Sequence, residues 1–466
     1  TRPGFRLQCQ MAANESWDLL HMDLKTTFLQ GDKFDSLRDV VCQLPPEAGL
    51  PPYMAARLKR AAYGLNDAPR LWWNKLDGKL REYGLEPTRA DRCCYVLYKQ
   101  QPTKGHRTTA SEVWEAKVDA SASWEAQTWK KPLDTTDVVD EAIEKLLDPI
   151  SGSKAKGKEV LGIVTIHVDD LFMTGGKVFQ EYLLPRIREY FKVGSEDKND
   201  VQFVGQRIRW QQNYIEVDQE RAIEELGEVQ FDNSLRDDIV CSPALHTQYR
   251  SVLGQINWLQ SRTQFQACYR FSRCASASAA PILADVRALN KLVRMIRAEI
   301  VTLKFWPLRG TLRLIGYPDA AYQNNSDKSS QRGQTIFLAE PRVKSGKEDS
   351  KGSLIDFESQ KIKRAVLSTT VSELYAFMKC FGTCQFLRGL WMDMSGQIAD
   401  IHMRTDAKNL VTTATTTHLP EQKETIHMIQ MLRTEACSGS IQDLAHVVSA
   451  DCLADCLTKN SAKSDA

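Results

Sequence analysis

The stretch LGIVTIHVDDLFMTGG, residues 161–176, decides the fold. It opens apolar and β-branched, which is typical of a buried strand. Two adjacent carboxylates, Asp169 and Asp170, then interrupt it before it turns apolar again. This pattern predicts a strand, a tight turn and a second strand, with both charges at the tip of the hairpin. Because Asp is common in tight turns, the stretch alone supports a simple turn as well as it supports a metal site.

The length and charge of the chain limit the classes of protein it can be. Its 466 residues predict two or three domains. The net charge is only +2, so a nucleic-acid surface would have to be local. No run of about 18 apolar residues is present, which predicts no membrane span, and no signal-peptide pattern opens the sequence. The first residue is Thr1 rather than Met, from which we expect a piece of a longer polyprotein.

The segments before the hairpin predict mixed structure. Residues 16–30 predict a strand followed by a helix, and residues 55–98 predict two helical segments. The window 57–99 has ten Lys or Arg and five Asp or Glu, interleaved with aromatics. Such a window suits a nucleic-acid track, but a solvated helix face over core aromatics is the favoured interpretation of the window alone. Residues 100–160 are polar and aperiodic, which predicts an inserted, partly disordered segment with one short helix.

The segments after the hairpin predict two further units. A helix is expected at about 178–191, short strands at 201–217 and helices over 248–300. From residue 311 the pattern β-β-β-α-β-α-β-α predicts a mixed α/β domain of about 150 residues. Its last helix is expected over SADCLADCLTK, and the terminal NSAKSDA is expected to fray.

A first cluster of carboxylates is predicted around the hairpin. Asp23 ends the first predicted strand, so it meets Asp169 and Asp170 if the strands are neighbours in one sheet. Three such charges in a small volume need cations or protons. Hard divalent cations such as Mg²⁺ prefer oxygen ligands. Two such ions about 4 Å apart activate a 3′-hydroxyl and stabilise a leaving pyrophosphate.

A second set of acids lies in the last domain. Asp319 and Asp406 each follow a predicted strand, Glu373 lies early in the long predicted helix, and Asp455 lies in the last one. Together they could hold two metals that activate water against a phosphodiester. Each has a plainer interpretation: Thr370 and Glu373 match a capping box, and Asp455 suits an exposed helix acid.

Nine stretches, taken in order, resemble the pol region of copia-type LTR retrotransposons from about residue 6 to residue 459. They are HMDLKTTFLQGD, LKRAAYGLNDAPRLWWNKL, IHVDDLFMTGG, VQFVGQRIRW, YRSVLGQINWL, LIGYPDAAY, LSTTVSELYA, RTDAKNL and ADCLADCLTK. The resemblance implies an α+β or mixed α/β fold, with a truncated reverse-transcriptase palm and thumb before a ribonuclease H-like mixed-sheet domain. The implied bounds are 1–235 for the palm region, 236–308 for a helical connection, 309–460 for the ribonuclease H-like domain and 461–466 for a disordered tail.

The resemblance also implies the chemistry: DNA synthesis on RNA and DNA templates, and cleavage of the RNA strand of RNA–DNA hybrids. Its catalytic and metal-binding positions fall on Asp23, Asp169, Asp170, Asp319, Glu373, Asp406 and Asp455. Its substrate-binding positions fall on Phe28, Tyr63, Gly64, Asp67, Arg70, His167 and Gly205. Phe28 would be the steric gate against a 2′-hydroxyl, although without the family a core Phe on a short helix is the favoured interpretation. The implied cofactor is Mg²⁺, two ions per site, with Mn²⁺ as a substitute.

The implied partners are an RNA template, a DNA primer, RNA–DNA hybrid, deoxynucleoside triphosphates and other pol-derived chains, with no membrane. The implied location is cytoplasmic virus-like particles and the nucleus.

Several positions depart from the family pattern. Only 22 residues precede Asp23, which implies that most of the fingers are missing. His167 replaces the usual Tyr, Asn66 and Asp67 replace Lys-Gln, and Glu424 replaces a His. Asp67 is expected to weaken nucleotide binding by adding negative charge. We therefore expect ribonuclease H chemistry with weak or absent primer extension. The alternatives are an inactive or domesticated nucleic-acid-binding protein, or a structural subunit of an intact polymerase.

Overall fold

The computed structural model describes residues 1–34, 38–44, 46–49, 51, 53–99, 159–341, 350–416 and 425–459. The predicted insertion, apart from its last two residues, lies outside this set, as do Glu424 and the predicted tail. Among the helices in these ranges, none is long and apolar enough to cross a membrane.

A six-stranded antiparallel sheet carries the hairpin, in the strand order β4-β5-β6-β7-β1-β8. We name this part of the chain the palm unit, after the region that the resemblance predicts here. Its elements are α1 (Arg2–Glu15), β1 (Asp18–Leu24), β2 (Val41–Gln43), β3 (Ala55–Arg57), α2 (Ala68–Glu82), β4 (Leu85–Pro87), β5 (Cys94–Tyr98), β6 (Val160–His167), β7 (Asp170–Gly175), α3 (Lys177–Tyr190) and β8 (Val193–Lys198). Strands β2 and β3 form a separate ribbon. Helices α2 and α3 bury one apolar face each in the palm core, at the i, i+4, i+8 positions Trp72, Leu76 and Leu80 and Phe179, Leu183 and Ile187.

The strand, turn and strand predicted at 161–174 are confirmed, as is the following helix. The second helical segment predicted within 55–98 is wrong, because β4 (Leu85–Pro87) and β5 (Cys94–Tyr98) follow α2 there. Every residue of β5 is buried. A short apolar run that is buried on both faces has no periodicity to separate a strand from a helix.

A small antiparallel sheet and four helices follow in the described residues. We call this part, residues 200–305, the connection; it begins earlier than the helical connection predicted at 236–308. The elements are β9 (Asp200–Phe203), β10 (Gln206–Trp210), β11 (Ile215–Asp218), α4 (Glu220–Glu224), α5 (Pro243–Arg262), α6 (Cys268–Ser276), α7 (Leu283–Ala298) and β12 (Leu303–Phe305). The sheet order is β12-β11-β10-β9, so the chain returns after α7 to pair with β11. The helices predicted over 248–300 are confirmed.

The last domain is built on a mixed five-stranded sheet in the order β15-β14-β13-β16-β17. Its elements are β13 (Arg313–Ala321), β14 (Gln331–Ala339), β15 (Gly352–Lys361), α8 (Thr369–Ser395), β16 (Asp400–Thr405), α9 (Lys408–Thr415), α10 (Ile426–Cys437) and β17 (Asp443–His446). Strands β13, β14 and β15 are antiparallel, whereas β16 runs parallel to both β13 and β17. The predicted order of elements is confirmed as far as β17, with α9 added.

Two details of this domain differ from expectation. The final predicted helix is wrong, because the structure has only 3₁₀ turns at Ser449–Asp451 and Asp455–Leu457. The capping box is also wrong: Ser368 caps α8, its Oγ accepting from the Val371 N–H at 3.3 Å. Thr370 is therefore inside the helix, and Glu373 is free of a capping role.

Helix α1 lies between the palm sheet and the last domain, and its residues 4–14 are all buried. A single apolar cluster runs from α1 and the palm strands to α8. Gln8 Nε2 donates to the carbonyls of Ile163 (3.1 Å) and Phe172 (3.2 Å) in the hairpin strands. Arg6 Nη1 donates to the Ile355 carbonyl of β15 at 2.9 Å. The two units therefore share one core, and α1 is its centre.

Candidate active sites

The first carboxylate cluster lies where β1 meets the β6–β7 hairpin. Strands β1 and β7 are neighbours, and their register places Asp23 opposite Asp170. One oxygen from each of Asp23, Asp169 and Asp170 lies within 4.8 Å of the others. The structure thus brings these three predicted residues together, as neighbouring strand ends require.

The hairpin tip is held in an unfavourable backbone conformation. Val168 and Asp169 connect the paired residues His167 and Asp170, and Val168 has φ of 59°. A β-branched residue rarely adopts positive φ, so surrounding contacts must hold it. Trp72 of α2 supplies one: its Nε1–H donates to the Val168 carbonyl at 2.7 Å. Sequence reasoning missed the contact of Trp72 with the hairpin tip, because the sequence identifies Trp72 only as an apolar position of an amphipathic helix.

The acids of this cluster affect one another electrostatically. Burial raises the pKa of Asp169, and the nearby Asp170 and Asp23 raise it further. His21, which sequence reasoning also missed, places its Nε2 at 3.0 Å from Asp170 Oδ1 and its Nδ1 at 3.6 Å from Asp197 Oδ2. Burial opposes the charge on His21, but these two acids outweigh it and raise its pKa. His21 is a second supporting group for the cluster.

Gly194 of β8 gives room to the Asp23 carboxylate. A Cβ built on Gly194 would stand 2.2 Å from Asp23 Oδ2. Gly194→Ala is therefore expected to displace the Asp23 carboxylate and weaken Mn²⁺ binding at this cluster about tenfold, with little change in stability. Mn²⁺ titration followed by electron paramagnetic resonance measures this. Gly227→Ala, at a position with nothing within 4 Å, is the matched control. Equal Mn²⁺ affinity in both variants would contradict the expectation.

Two of the predicted substrate-binding residues lie together. The rings of Phe28 and Tyr63 meet edge to face, with centroids 4.7 Å apart. Phe28 also packs on the palm core, whereas Tyr63 is 60% exposed. Gly64 follows with φ of 95°, a conformation that favours glycine. The pair therefore presents an aromatic surface whose inner ring is fixed by packing.

Asp67 is paired with a cation that sequence reasoning did not find, and the expectation that Asp67 weakens nucleotide binding stays a prediction. Its carboxylate is paired in two places with the Arg38 guanidinium, one of the contacts being 2.8 Å between Nη2 and Oδ1. This pairing also lowers the pKa of Asp67. The negative charge of Asp67 is therefore balanced by the positive charge of Arg38 within the protein. Sequence reasoning missed Arg38, which lies 29 residues from Asp67.

The remaining candidates are spread more widely. Arg70 is exposed in the first turn of α2, and His167 is exposed beside the hairpin tip. Gly205 lies in the β9–β10 turn with φ of 68°, against the ring of Trp258 in α5. Gly205 thus belongs to the small sheet rather than to the sheet that carries the carboxylates.

The second cluster lies at one edge of the mixed sheet. Strands β13 and β16 are parallel neighbours, so Asp319 in β13 and Asp406 just after β16 meet at the same end. One oxygen from each lies within 4.8 Å of the other and of Cys452 Sγ. Burial raises the pKa of Cys452 to about 12. Thiol ligands suit soft metals, whereas carboxylates suit hard cations such as Mg²⁺.

Glu373 of α8 belongs electrostatically to the same cluster. Burial, then Asp319 and then Asp406, raise the pKa of Glu373 to about 9. Burial likewise raises the pKa of Asp319. Among the described residues, Glu373 Oε2 and Asp319 Oδ1 have no hydrogen-bond partner. Buried carboxylate oxygens without partners need a cation or a proton, and hard oxygen ligands suit a divalent cation. The residues present therefore fit a divalent metal.

Asp455 is near this cluster, but it does not lie in a helix as predicted. It lies on the 3₁₀ turn Asp455–Leu457, and its Oδ1 accepts from Lys459 Nζ at 2.5 Å. The same ammonium stands 3.9 Å from Asp319 Oδ2. Asp406 Oδ2 accepts from Ser449 Oγ at 2.8 Å. The turns of the last segment thus place polar groups around the acids from the strands.

The chain therefore joins an antiparallel sheet with a carboxylate hairpin to a mixed sheet with a second carboxylate cluster. Residues 4–103 match the family model described as "Reverse transcriptase (RNA-dependent DNA polymerase)". The chain is 21% identical over 479 residues to the Retrovirus-related Pol polyprotein from transposon RE2 of Arabidopsis thaliana, covering 98% of this chain and 27% of that protein. It is 33% identical over 96 residues to the corresponding polyprotein from transposon TNT 1-94 of Nicotiana tabacum, covering 20% and 7%.

These matches confirm the predicted resemblance to retrotransposon Pol polyproteins. The chain spans about a quarter of the length of the curated Arabidopsis relatives, 27%. Among solved structures, a foamy viral protease-reverse transcriptase in complex with RNA/DNA hybrid is similar at 12% identity with a TM-score of 0.46, covering 94% of this chain and 45% of that one. Ribonuclease H1 from Halobacterium salinarum is similar at 19% identity with a TM-score of 0.23, covering 33% and 99%.

Proposed function

We propose that the chain is a retrotransposon reverse transcriptase and ribonuclease H. The palm unit would synthesise DNA on RNA and DNA templates, and the last domain would cleave the RNA strand of RNA–DNA hybrids. The observation that carries the proposal is the cluster of buried Asp319 and Glu373 with half-buried Asp406. Among the described residues, Asp319 Oδ1 and Glu373 Oε2 in this cluster have no hydrogen-bond partner. A buried group of acids is costly to stability, so its presence favours a functional role.

In the last domain, Asp319, Glu373, Asp406 and Asp455 would hold two Mg²⁺ ions, with Mn²⁺ as a substitute. Ions bound there would activate water and offset the charge of the scissile phosphate. Glu373, whose pKa is about 9, holds a proton at neutral pH in the cation-free protein. Cation binding must therefore release that proton, which makes the affinity for the metal dependent on pH.

In the palm unit, Asp23, Asp169 and Asp170 would hold two Mg²⁺ ions beside the triphosphate and the primer end. Phe28, fixed against Tyr63, would exclude a 2′-hydroxyl and so select deoxynucleotides. Arg38 is engaged by Asp67 and so has less charge to offer to a triphosphate. We therefore expect primer extension to be the weaker activity. Location in particles and in the nucleus, and association with other pol-derived chains, stay predictions from the resemblance.

The function is tested with the full chain on an end-labelled RNA–DNA hybrid in Mg²⁺, in Mn²⁺ and in excess chelator. We expect cleavage of the RNA strand with either metal and none with chelator, and no cleavage of RNA or DNA duplexes of the same sequence. Primer extension is measured on the same duplex with deoxynucleotides. Tight binding of the hybrid without cleavage in either metal would instead support the non-catalytic nucleic-acid-binding alternative.

A further inference from the structure

The last 3₁₀ turn lies flat against the mixed sheet. A Cβ on Gly333 of β14 would stand 2.8 Å from the Leu457 Cβ and 2.9 Å from the Thr458 Cγ2. The absence of that atom lets the turn approach the strand. Ser359 of β15 adds a hydrogen bond, its Oγ donating to the Leu457 carbonyl at 2.5 Å. The turn is therefore anchored to two strands of the sheet, next to the second carboxylate cluster.

Thr458, which follows this turn, contacts the cluster directly. Its side chain is fully buried, and its hydroxyl donates to Asp319 Oδ2. The carbonyl of Asp455, at 3.2 Å, is a more distant acceptor for the same hydrogen. Asp319 Oδ1, in contrast, has no partner within the described ranges. One oxygen of this carboxylate is therefore held by the protein while the other stays available.

The connection reaches the same point through Asn324. Its Nδ2 donates both to the Thr458 carbonyl at 2.8 Å and to the hydroxyl of Tyr269 in α6 at 3.2 Å. Arg273, one helical turn further along α6, donates from Nη1 to the Asn324 carbonyl at 3.2 Å. Helix α6 thus holds Asn324 by its side chain and its backbone. A continuous set of hydrogen bonds runs from Tyr269 through Asn324 and Thr458 to Asp319.

We propose that Thr458 is a positioning residue for Asp319, and that the connection helix α6 keeps Thr458 in place through Asn324. The inference rests on the proposed ribonuclease H function. A carboxylate that is already fixed in one orientation loses less rotational freedom when it binds a cation, so the cation binds more tightly. The connection is then part of the nuclease site although it contributes no ligand.

The first test removes the hydroxyl. Thr458→Val keeps the shape of the side chain, and we expect it to lower kcat for hybrid cleavage and raise the half-saturating Mn²⁺ concentration, each about tenfold. KM for the hybrid should stay within about twofold, because Thr458 is buried and does not face substrate. Thr458→Ser restores the hydroxyl and should return both quantities to near the parent values. A purely structural role would not predict that kcat falls while KM stays unchanged, or that Thr458→Ser restores kcat.

The second test asks whether Tyr269 acts through Thr458. Tyr269→Phe should lower kcat and Mn²⁺ affinity about threefold in the parent, and should add nothing in the Thr458→Val background. Tyr95→Phe is the matched control, because it removes a tyrosine hydrogen bond of 2.6 Å to Asp77 Oδ1 in the palm unit, away from α6. This control should leave both quantities unchanged. If Tyr269→Phe lowers kcat and Mn²⁺ affinity by the same factor in the parent and in the Thr458→Val background, the link to α6 is overturned.

Mn²⁺ affinity is measured by calorimetry in an Asp169→Asn background, so that the palm cluster contributes little to the signal. If the parent does not cleave hybrid but Thr458→Val still weakens Mn²⁺ binding, the proposed function fails and the positioning role stands. If Thr458→Val binds Mn²⁺ and cleaves like the parent, the positioning role is overturned. If Thr458→Val does not fold, Tyr269→Phe alone decides: parent-like Mn²⁺ affinity in that variant contradicts the proposal.

Discussion

Asp319→Asn is expected to lower the rate of hybrid cleavage by about 10³-fold or more, since loss of a proposed metal ligand would remove several kcal/mol of transition-state stabilisation. The same substitution should not destabilise the protein. Asp319 is buried beside Asp406 and Glu373, and its pKa is raised by burial, so the native fold disfavours its charge. A neutral amide relieves that cost, and we expect the melting temperature to stay equal or rise by a few degrees.

Single-turnover cleavage and thermal unfolding of the same preparation measure both effects. Asp400→Asn is the matched control: it lies at the opposite end of the β16 region from Asp406 and outside the carboxylate cluster. It should cleave hybrid at the parent rate. Cleavage by Asp319→Asn within tenfold of the parent would show that the second cluster is not the nuclease site.

Arg6→Met should lower the free energy of unfolding by about 4 kcal/mol, because it removes a buried cation that several groups surround. Arg6 is only 3% exposed, and burial lowers its pKa to about 10. Its guanidinium donates to the carbonyls of Ile355 (2.9 Å) and Arg262 (2.7 Å) and lies 4.3 Å from the centre of the Phe357 ring. Methionine fills part of the space but leaves both carbonyls without their donor.

Urea unfolding followed by far-UV circular dichroism measures this loss. Arg2→Met is the control on the same helix: Arg2 is exposed and its single described side-chain bond, to the Ser261 carbonyl, is 3.3 Å long. Its effect should stay below about 1 kcal/mol. If Arg6→Met and Arg2→Met unfold at the same urea concentration, the buried contacts of Arg6 in α1 do not stabilise the protein as proposed.

Much of the fold was predictable because its signals are local. The hairpin at 161–174, the three strands after residue 311 and the long helix α8 each have a clear period or a turn signal. The errors fell where local signals are weak. Strand β5 is too short and too evenly apolar to show a period, and the last segment is anchored by contacts to β14 and β15 rather than by helix propensity.

The site was predictable only in part, for a related reason. The acids at strand ends could be found because neighbouring strands bring their ends together. Their supporting groups could not, because each acts through partners distant in sequence. Trp72 meets Val168 across 96 positions, and His21 meets Asp170 across 149. In the same way, Arg38 balances the charge of Asp67 through a salt bridge that cannot be identified without the fold.

The shared core around α1 has a genetic consequence. A substitution that loosens this core acts on both carboxylate clusters at once, whichever side it comes from. Variants that lose only one of the two proposed activities should therefore map to the acids and to the residues that contact them. Variants that map to α1, to the palm face beneath it or to α8 should lose both together, and temperature-sensitive variants should be found mainly among these.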